Sequence, residues 1–212
     1  LRLKHQISKK QRKKIMTKED TRRSLVDATI RVIAKDGIEN ATTKLISSAT
    51  GINEAYIYRH FTNKIDMFVK AFDYLDDELF SNVLQCADNV IKGENKYENW
   101  CCCFFSPVLE HLMSDREKWL MYLQYYYSPY FALHSSENHK KRLSVLVSRL
   151  KGTFRDDTKV EILLDYILIT MLDYVLKVDT QQISYSDRNN EETFFMIFNS
   201  IKRYLKTEDV KK

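Results

Sequence analysis

The stretch Ala41-Thr42-Thr43-Lys44-Leu45-Ile46-Ser47-Ser48-Ala49-Thr50-Gly51-Ile52-Asn53-Glu54-Ala55-Tyr56-Ile57-Tyr58-Arg59-His60-Phe61 decides the fold. It reads as two short helices joined by a glycine turn. The first spans about 43–50, with Leu45, Ile46 and Ala49 turned inward. Gly51 supplies the left-handed residue that ends it, and Asn53 suits the N-cap of a second helix over 54–60. The angle of so small a pair depends on a few buried residues. Ile46, Ala49, Ile52, Ile57 and Phe61 can supply that wedge. At about 100° per residue, Ile57 and Phe61 face the core while Ala55, Tyr56 and Arg59 take the opposite side, flanked by Tyr58 and His60. A small residue, an aromatic and an arginine suit a DNA groove. Arg59 can bond guanine in two places or hold a phosphate. The plainer alternative is the polar face of a surface helix.

Upstream, Thr17 is an N-cap candidate with Glu19 and Asp20 in the first turn, where the helix dipole favours acids. Leu25, Val26, Ile30 and Ile33 recur at helical spacing until Gly37. Three helices ending in helix, glycine turn and helix describe a helix-turn-helix. Charge agrees with this: residues 1–64 hold 15 Lys/Arg against 6 Asp/Glu, whereas residues 65–212 hold 19 against 23. One end suits a polyanion. Residues 1–15 carry seven of those cations, no acid and no apolar periodicity, and read as a flexible basic arm, with Met16 a natural start.

Downstream only helices are expected, over about 64–91, 97–114, 116–131, 137–152, 157–179 and 190–206. Thr62-Asn63 caps the first of these. Gly93, Ser135-Ser136, Gly152 and residues 179–190 mark links. With 4 glycines and 2 prolines in 212 residues, long helices joined by short links are favoured over turn-rich sheets, so the fold class is all-α. The division is a basic arm at 1–15, a DNA-binding domain at 16–63 and a helical domain at 64–212.

Other functions find little support. Cys101, Cys102 and Cys103 are consecutive and point about 100° apart on a helix, which suits no zinc geometry. With Cys86 they read as buried free thiols of a reducing cytosol. No histidine has a glutamate three residues before it, and no phosphate-cradling glycine loop or Gly-x-Ser-x-Gly turn occurs. No catalytic residue, metal or cofactor is expected. The apolar run 162–178 is broken by Asp165, Asp173 and Lys177, too polar for a membrane span.

Residues 22–68 resemble the DNA-binding domain of the TetR family of bacterial transcriptional regulators. The resemblance lies in Leu25-Val26-Asp27-Ala28 with Gly37, Ala41-Thr42-Thr43, Ile46 through Asn53, Tyr56-Ile57-Tyr58-Arg59-His60-Phe61, and Asn63-Lys64 with Phe68. It implies that Thr42 or Thr43 and Lys44 touch phosphates. Asn53, Ala55, Tyr56 and Arg59 would lie at base edges, and Tyr58, His60 and Lys64 would clamp the backbone. Two departures stand out. Tyr56 replaces a small hydroxyl residue, and Glu54 puts an acid at the DNA face, where it can accept from cytosine or repel wrong sites.

The resemblance further implies that the remaining helices bind a small-molecule effector and dimerise, making a cytoplasmic homodimer on a double-stranded operator. Residues 162–178 are apolar on nearly all sides, which calls for cover on two faces. The expected dimer interface is Leu164, Leu168, Met171, Leu172 and Val175 with Phe194, Phe198 and Ile201. The expected pocket draws on Trp119, Tyr122, Tyr125 and Tyr126, with Trp100, Phe104, Phe105 and Met113 as another wall. The alternative for each of these aromatics is plain core.

Overall fold

The computed structural model describes residues 17–93 and 96–206. The predicted basic arm, 1–15, therefore lies outside the described residues. Eleven α-helices form the described chain: α1 (Lys18–Asp36), α2 (Thr43–Thr50), α3 (Glu54–Ile57), α4 (Lys64–Ile91), α5 (Tyr97–Trp100), α6 (Ser106–Ser114), α7 (Arg116–Tyr126), α8 (Pro129–His134), α9 (Ser136–Leu150), α10 (Val160–Asp179) and α11 (Asp187–Ile201). A π-helical stretch, Cys101–Phe105, joins α5 to α6, so 97–114 is helical throughout as expected. No β-ladder occurs among the described residues beyond one isolated bridge between Phe154 and Leu205.

The caps explain where the helices start. At α1, Thr17 Oγ1 accepts from the Asp20 amide at 3.0 Å, and Asp20 Oδ2 accepts from the Thr17 amide at 3.0 Å. These two bonds close a capping box. Asn63 caps α4 by accepting from the Asp66 amide at 2.9 Å. Two boundaries differ from expectation. The predicted helix 116–131 is broken after Tyr126, because Pro129 holds Ser128 extended (φ −85°, ψ 159°) and opens α8 itself. Helix α10 starts three residues later than expected and ends at Asp179 as expected, whereas α11 starts at the Ser186 cap and gives way to a 3₁₀ turn at Lys202–Tyr204.

Helix α4 is the central member. It packs against α1 on the N-terminal side and against α6, α7, α8 and α9 on the other. One continuous hydrophobic core therefore runs from Leu25, Ile33 and Ile46 through Phe68, Phe72 and Leu75 to Leu146 and Leu164. Gly93 follows α4 at a point of close approach. A Cβ there would lie 2.3 Å from Asn99, whose amide donates to the Val90 carbonyl at 3.1 Å.

Candidate nucleic-acid interface

The wedge between α2 and α3 rests on Ile46, Ile57 and Phe61, all buried. Each contributes about 1.5–3 kcal/mol by leaving water. Leu45 and Ala49, expected inward, are exposed instead. Eight residues rest on α1 and α3 by one stripe only, and Ile46 fills it. Gly51 takes the left-handed conformation (φ 69°, ψ 9°). Hydroxyls finish the turn: Ser47 Oγ donates to the Ile52 carbonyl at 2.6 Å, and Thr50 Oγ1 accepts from the Ile52 amide at 3.2 Å.

Helix α3 is shorter than predicted. It ends at Ile57, and the chain tightens through 58–60. The Arg59 amide donates to Tyr56 O (3.1 Å) and the His60 amide to Ile57 O (2.9 Å), three residues back rather than four. The tightening leaves the faces as expected. Ala55, Tyr56, Tyr58 and Arg59 are exposed, Tyr56 by 49% and Tyr58 by 55%. The Arg59 guanidinium lies 4.2 Å from the Tyr56 ring centroid, so these two outward groups hold each other. Arg22 of α1 sits 5.7 Å from the Phe61 ring and ties the third helix back.

Several predicted contacts carry local duties. Asn53 Oδ1 accepts from the Ala55 amide at 2.9 Å, leaving its NH₂ group outward. Thr42 caps α2 by accepting from the Leu45 amide at 3.2 Å, and its own proton stays available. Thr43 differs: its hydroxyl donates to the Glu54 carboxylate. That bond ties the start of α2 to the start of α3 and holds Glu54 half-buried, an arrangement the sequence alone did not reveal. His60 is half-buried with Nδ1 unpartnered among the described residues. Lys64 is the first residue of α4, its ammonium 5.4 Å from the Phe68 ring.

The residues expected to line a pocket are largely core. Trp100, Phe104, Phe105, Trp119, Tyr122 and Tyr125 are buried, and Met113 is half-buried. They form two separate aromatic groups. Trp100 packs on Phe104, Phe105 and Phe154, while Phe72 stacks on Tyr122 and Tyr125 at 4.8 and 4.7 Å. Tyr126 borders a cavity of about 280 Å³ shared with Phe131, His139, Leu143, Glu161 and Asp165. Its hydroxyl donates to Asp165 at 3.2 Å, and burial together with that carboxylate pushes it up to about 12.

Beneath this cavity lies a polar cluster that sequence reading missed. Asp76 is fully buried on α4. Its carboxylate accepts from the Tyr122 hydroxyl (2.8 Å), His139 Nδ1 (3.0 Å) and Arg142 (3.0 Å), and Arg142 also reaches Asp73 at 3.4 Å. The signal was present: Asp76 interrupts the apolar stripe of Phe72, Leu75, Leu79 and Phe80.

The dimer register also needs correcting. Leu164, Leu168, Met171, Leu172, Val175, Phe194, Phe198 and Ile201 are all buried inside the protomer. The apolar residues that α10 and α11 expose are Ile162 (67%), Tyr166, Phe195 and Met196 (69%). A helix apolar all round does not announce which stripe its own subunit takes. The cysteines differ too: Cys86 is buried, Cys101 and Cys103 are half-buried, and Cys102 is exposed. Among the described residues no group of His, Cys, Asp and Glu is placed to hold a metal, and no helix is long and apolar enough to cross a membrane.

A short glycine-turned helix pair, braced by a third helix and mounted on a larger helical body, defines a helix-turn-helix DNA-binding protein. Comparison makes the class specific. Residues 25–71 match the family model described as bacterial regulatory proteins, tetR family. Nucleoid occlusion factors SlmA of Yersinia enterocolitica and Sodalis glossinidius are 31% identical to it over 71 residues, 31% of this chain. The chain spans about a third of the length of these curated relatives (36%). A TetR family transcription regulator from Marinobacter aquaeolei VT8 shares the fold at TM-score 0.69 and 16% identity, over 84% of this chain and 94% of that one. The fatty acid degradation regulator FadR from Bacillus halodurans does so at TM-score 0.66 and 18% identity, over 85% and 96%. The matched family and these neighbours are regulators, not enzymes.

Proposed function

We propose that this chain is a transcriptional repressor that binds a near-palindromic operator as a homodimer and is released by a small amphipathic or aromatic effector. The observation that carries this reading is the exposure of Thr42, Lys44, Asn53, Ala55, Tyr56, Tyr58 and Arg59 together on the two short helices. Asn53, Ala55, Tyr56 and Arg59 meet base edges. Thr42, Lys44, Tyr58, His60 and Lys64 hold phosphates, and Thr43 positions Glu54 beside them. Residues 16–63 form the DNA-binding domain and residues 64–212 the effector and dimer domain. The seam between subunits is the exposed stripe of Ile162, Tyr166, Phe195 and Met196. The protein works in the cytoplasm. The effector acts by binding the DNA-incompetent form of the dimer more tightly than the competent one.

The test is selection of sites from random duplex DNA at near-physiological salt. A dimer enriches half-sites about one helical turn apart, with affinity falling steeply as salt rises. Tyr58→Ala with Lys64→Ala abolishes that binding and leaves the circular dichroism spectrum unchanged. Unaltered affinity in this double variant would remove the assigned phosphate contacts. Sequence-independent binding alone would remove the operator reading.

A further inference from the structure

Three rings converge on the 280 Å³ cavity between α7, α8, α9 and α10. The centroids of Tyr126, Phe131 and His139 lie 4.5, 5.4 and 5.5 Å apart. Aromatic faces present negative charge. The polar atoms of the wall have the same character. His139 Nδ1 lies 3.0 Å from a carboxylate oxygen of buried Asp76, which fixes the ring at the cavity wall. Asp165 is half-buried and receives only the Tyr126 hydroxyl, and no ion pair engages Asp165 or Glu161 among the described residues. Lys140, the one lysine at this cavity, is held by Glu137 at 3.6 Å. The hydroxyl of Ser136 is turned away, donating to the Ala132 carbonyl at 3.1 Å. The wall thus offers carboxylates and aromatic faces, and its one lysine, Lys140, pairs at the exposed rim with Glu137 rather than with Asp165 or Glu161.

We infer that this cavity is the effector site and that its ligand is a compact organic cation, a primary or secondary ammonium on a small apolar or aromatic body. The inference rests on the effector-released regulator proposed above. The ammonium sits against Asp165 and the faces of Tyr126 and Phe131. The body of the ligand covers Leu143 at the cavity wall. A volume of about 280 Å³ lies at the small end of ligand pockets, which run from about 300 to 1,000 Å³, so the ligand is small. A carboxylate of equal size would meet two carboxylates, and a neutral analogue would cover Asp165 without pairing it, which is costly.

Calorimetry with the whole chain and three matched probes tests this: phenethylammonium, phenethyl alcohol and phenylacetate. Phenethylammonium binds about tenfold or more tightly than the alcohol, as a charge-assisted bond requires, and phenylacetate gives no binding. Asp165→Asn keeps an acceptor for Tyr126 but loses about that same factor for the ammonium alone, with its thermal melt reporting that the fold is retained. If that variant does not fold, Glu161→Gln, at an exposed position, gives a smaller loss in the same direction. Equal binding of all three probes, no binding of any, or ammonium affinity indifferent to both variants overturns the site. With a selected operator duplex in hand, phenethylammonium weakens DNA binding by the wild type, and binding without that effect overturns the effector role. Failure to select any operator counts against the repressor reading and leaves the calorimetric answer standing.

Discussion

Replacing Asp76 by alanine removes the acceptor of three donors at once. The Tyr122 hydroxyl is buried and has no other partner among the described residues, so it pays a full desolvation penalty of about 1–3 kcal/mol. Arg142 fares better, since it retains Asp73 at 3.4 Å and also Asp77. His139 Nδ1, at 3.0 Å from Asp76, is left facing the gap. Together these losses give about 3–5 kcal/mol, the range for breaking a buried charge pair by removing one member. That is about a fifth or more of a stability of about 5–15 kcal/mol. Urea denaturation at one fixed protein concentration measures it, because any self-association ties apparent stability to concentration. A companion variant sharpens the test. Tyr122→Phe alone costs about 1 kcal/mol, the net value of one hydrogen bond. In the Asp76→Ala background the same change removes an orphaned hydroxyl and becomes neutral or stabilising. A loss below about 1 kcal/mol for Asp76→Ala, smaller than a single buried orphan costs, would refute the reasoning. So would an identical effect of Tyr122→Phe in both backgrounds.

Three further outcomes follow from the same structure. At Gly51 an added Cβ meets nothing within 4 Å, so Gly51→Ala costs only the left-handed strain, about 1–2 kcal/mol by denaturation, and Gly51→Asn costs less. Phe195→Glu with Met196→Glu converts the dimer to monomer in sedimentation velocity without altering helicity, whereas an undisturbed dimer places the seam elsewhere. His111 is lowered below its ordinary 6.5 by burial, with Lys118 adding to the shift and Glu78 opposing it. The folded state then binds fewer protons than the unfolded one, and stability falls as pH drops from 6.5 towards the folded value. His111→Phe keeps the ring against Trp119, now 5.5 Å between centroids, and flattens that acid-side slope in denaturation midpoints, while an unchanged slope rules His111 out.

How much of this was legible in the sequence depended on the range of the interaction. Caps at Thr17, Asn53 and Asn63, the Gly51 turn and the inward placement of Ile57 and Phe61 are local, and each was readable from spacing. The Pro129 break was equally local and was overlooked within an otherwise helical pattern. The Thr43–Glu54 bond joins residues 11 apart, and the Asp76 cluster joins residues 46 to 66 apart, with no periodicity to announce either. The wrong dimer stripe has a different origin. Residues 162–178 are so uniformly apolar that the helical period fades, and only the packed protomer shows which stripe it keeps. Aromatic residues such as Trp100 and Tyr125 satisfy a core as well as a pocket, so their type could not separate the two.

Helix α4 is one unbroken rod of 28 residues, about 42 Å long at 1.5 Å per residue. Lys64 stands at its tip, and Asp76 is bolted to α7 and α9 about 18 Å further along. The geometry is that of a lever with a pivot in the helical body. A tilt of about 5° at the pivot sweeps the tip through roughly 1.6 Å, enough to take a hydrogen bond of about 2.9 Å beyond its working range. Rearrangements at Asp76 too small to notice locally are thereby magnified at Lys64, the residue proposed to hold a phosphate.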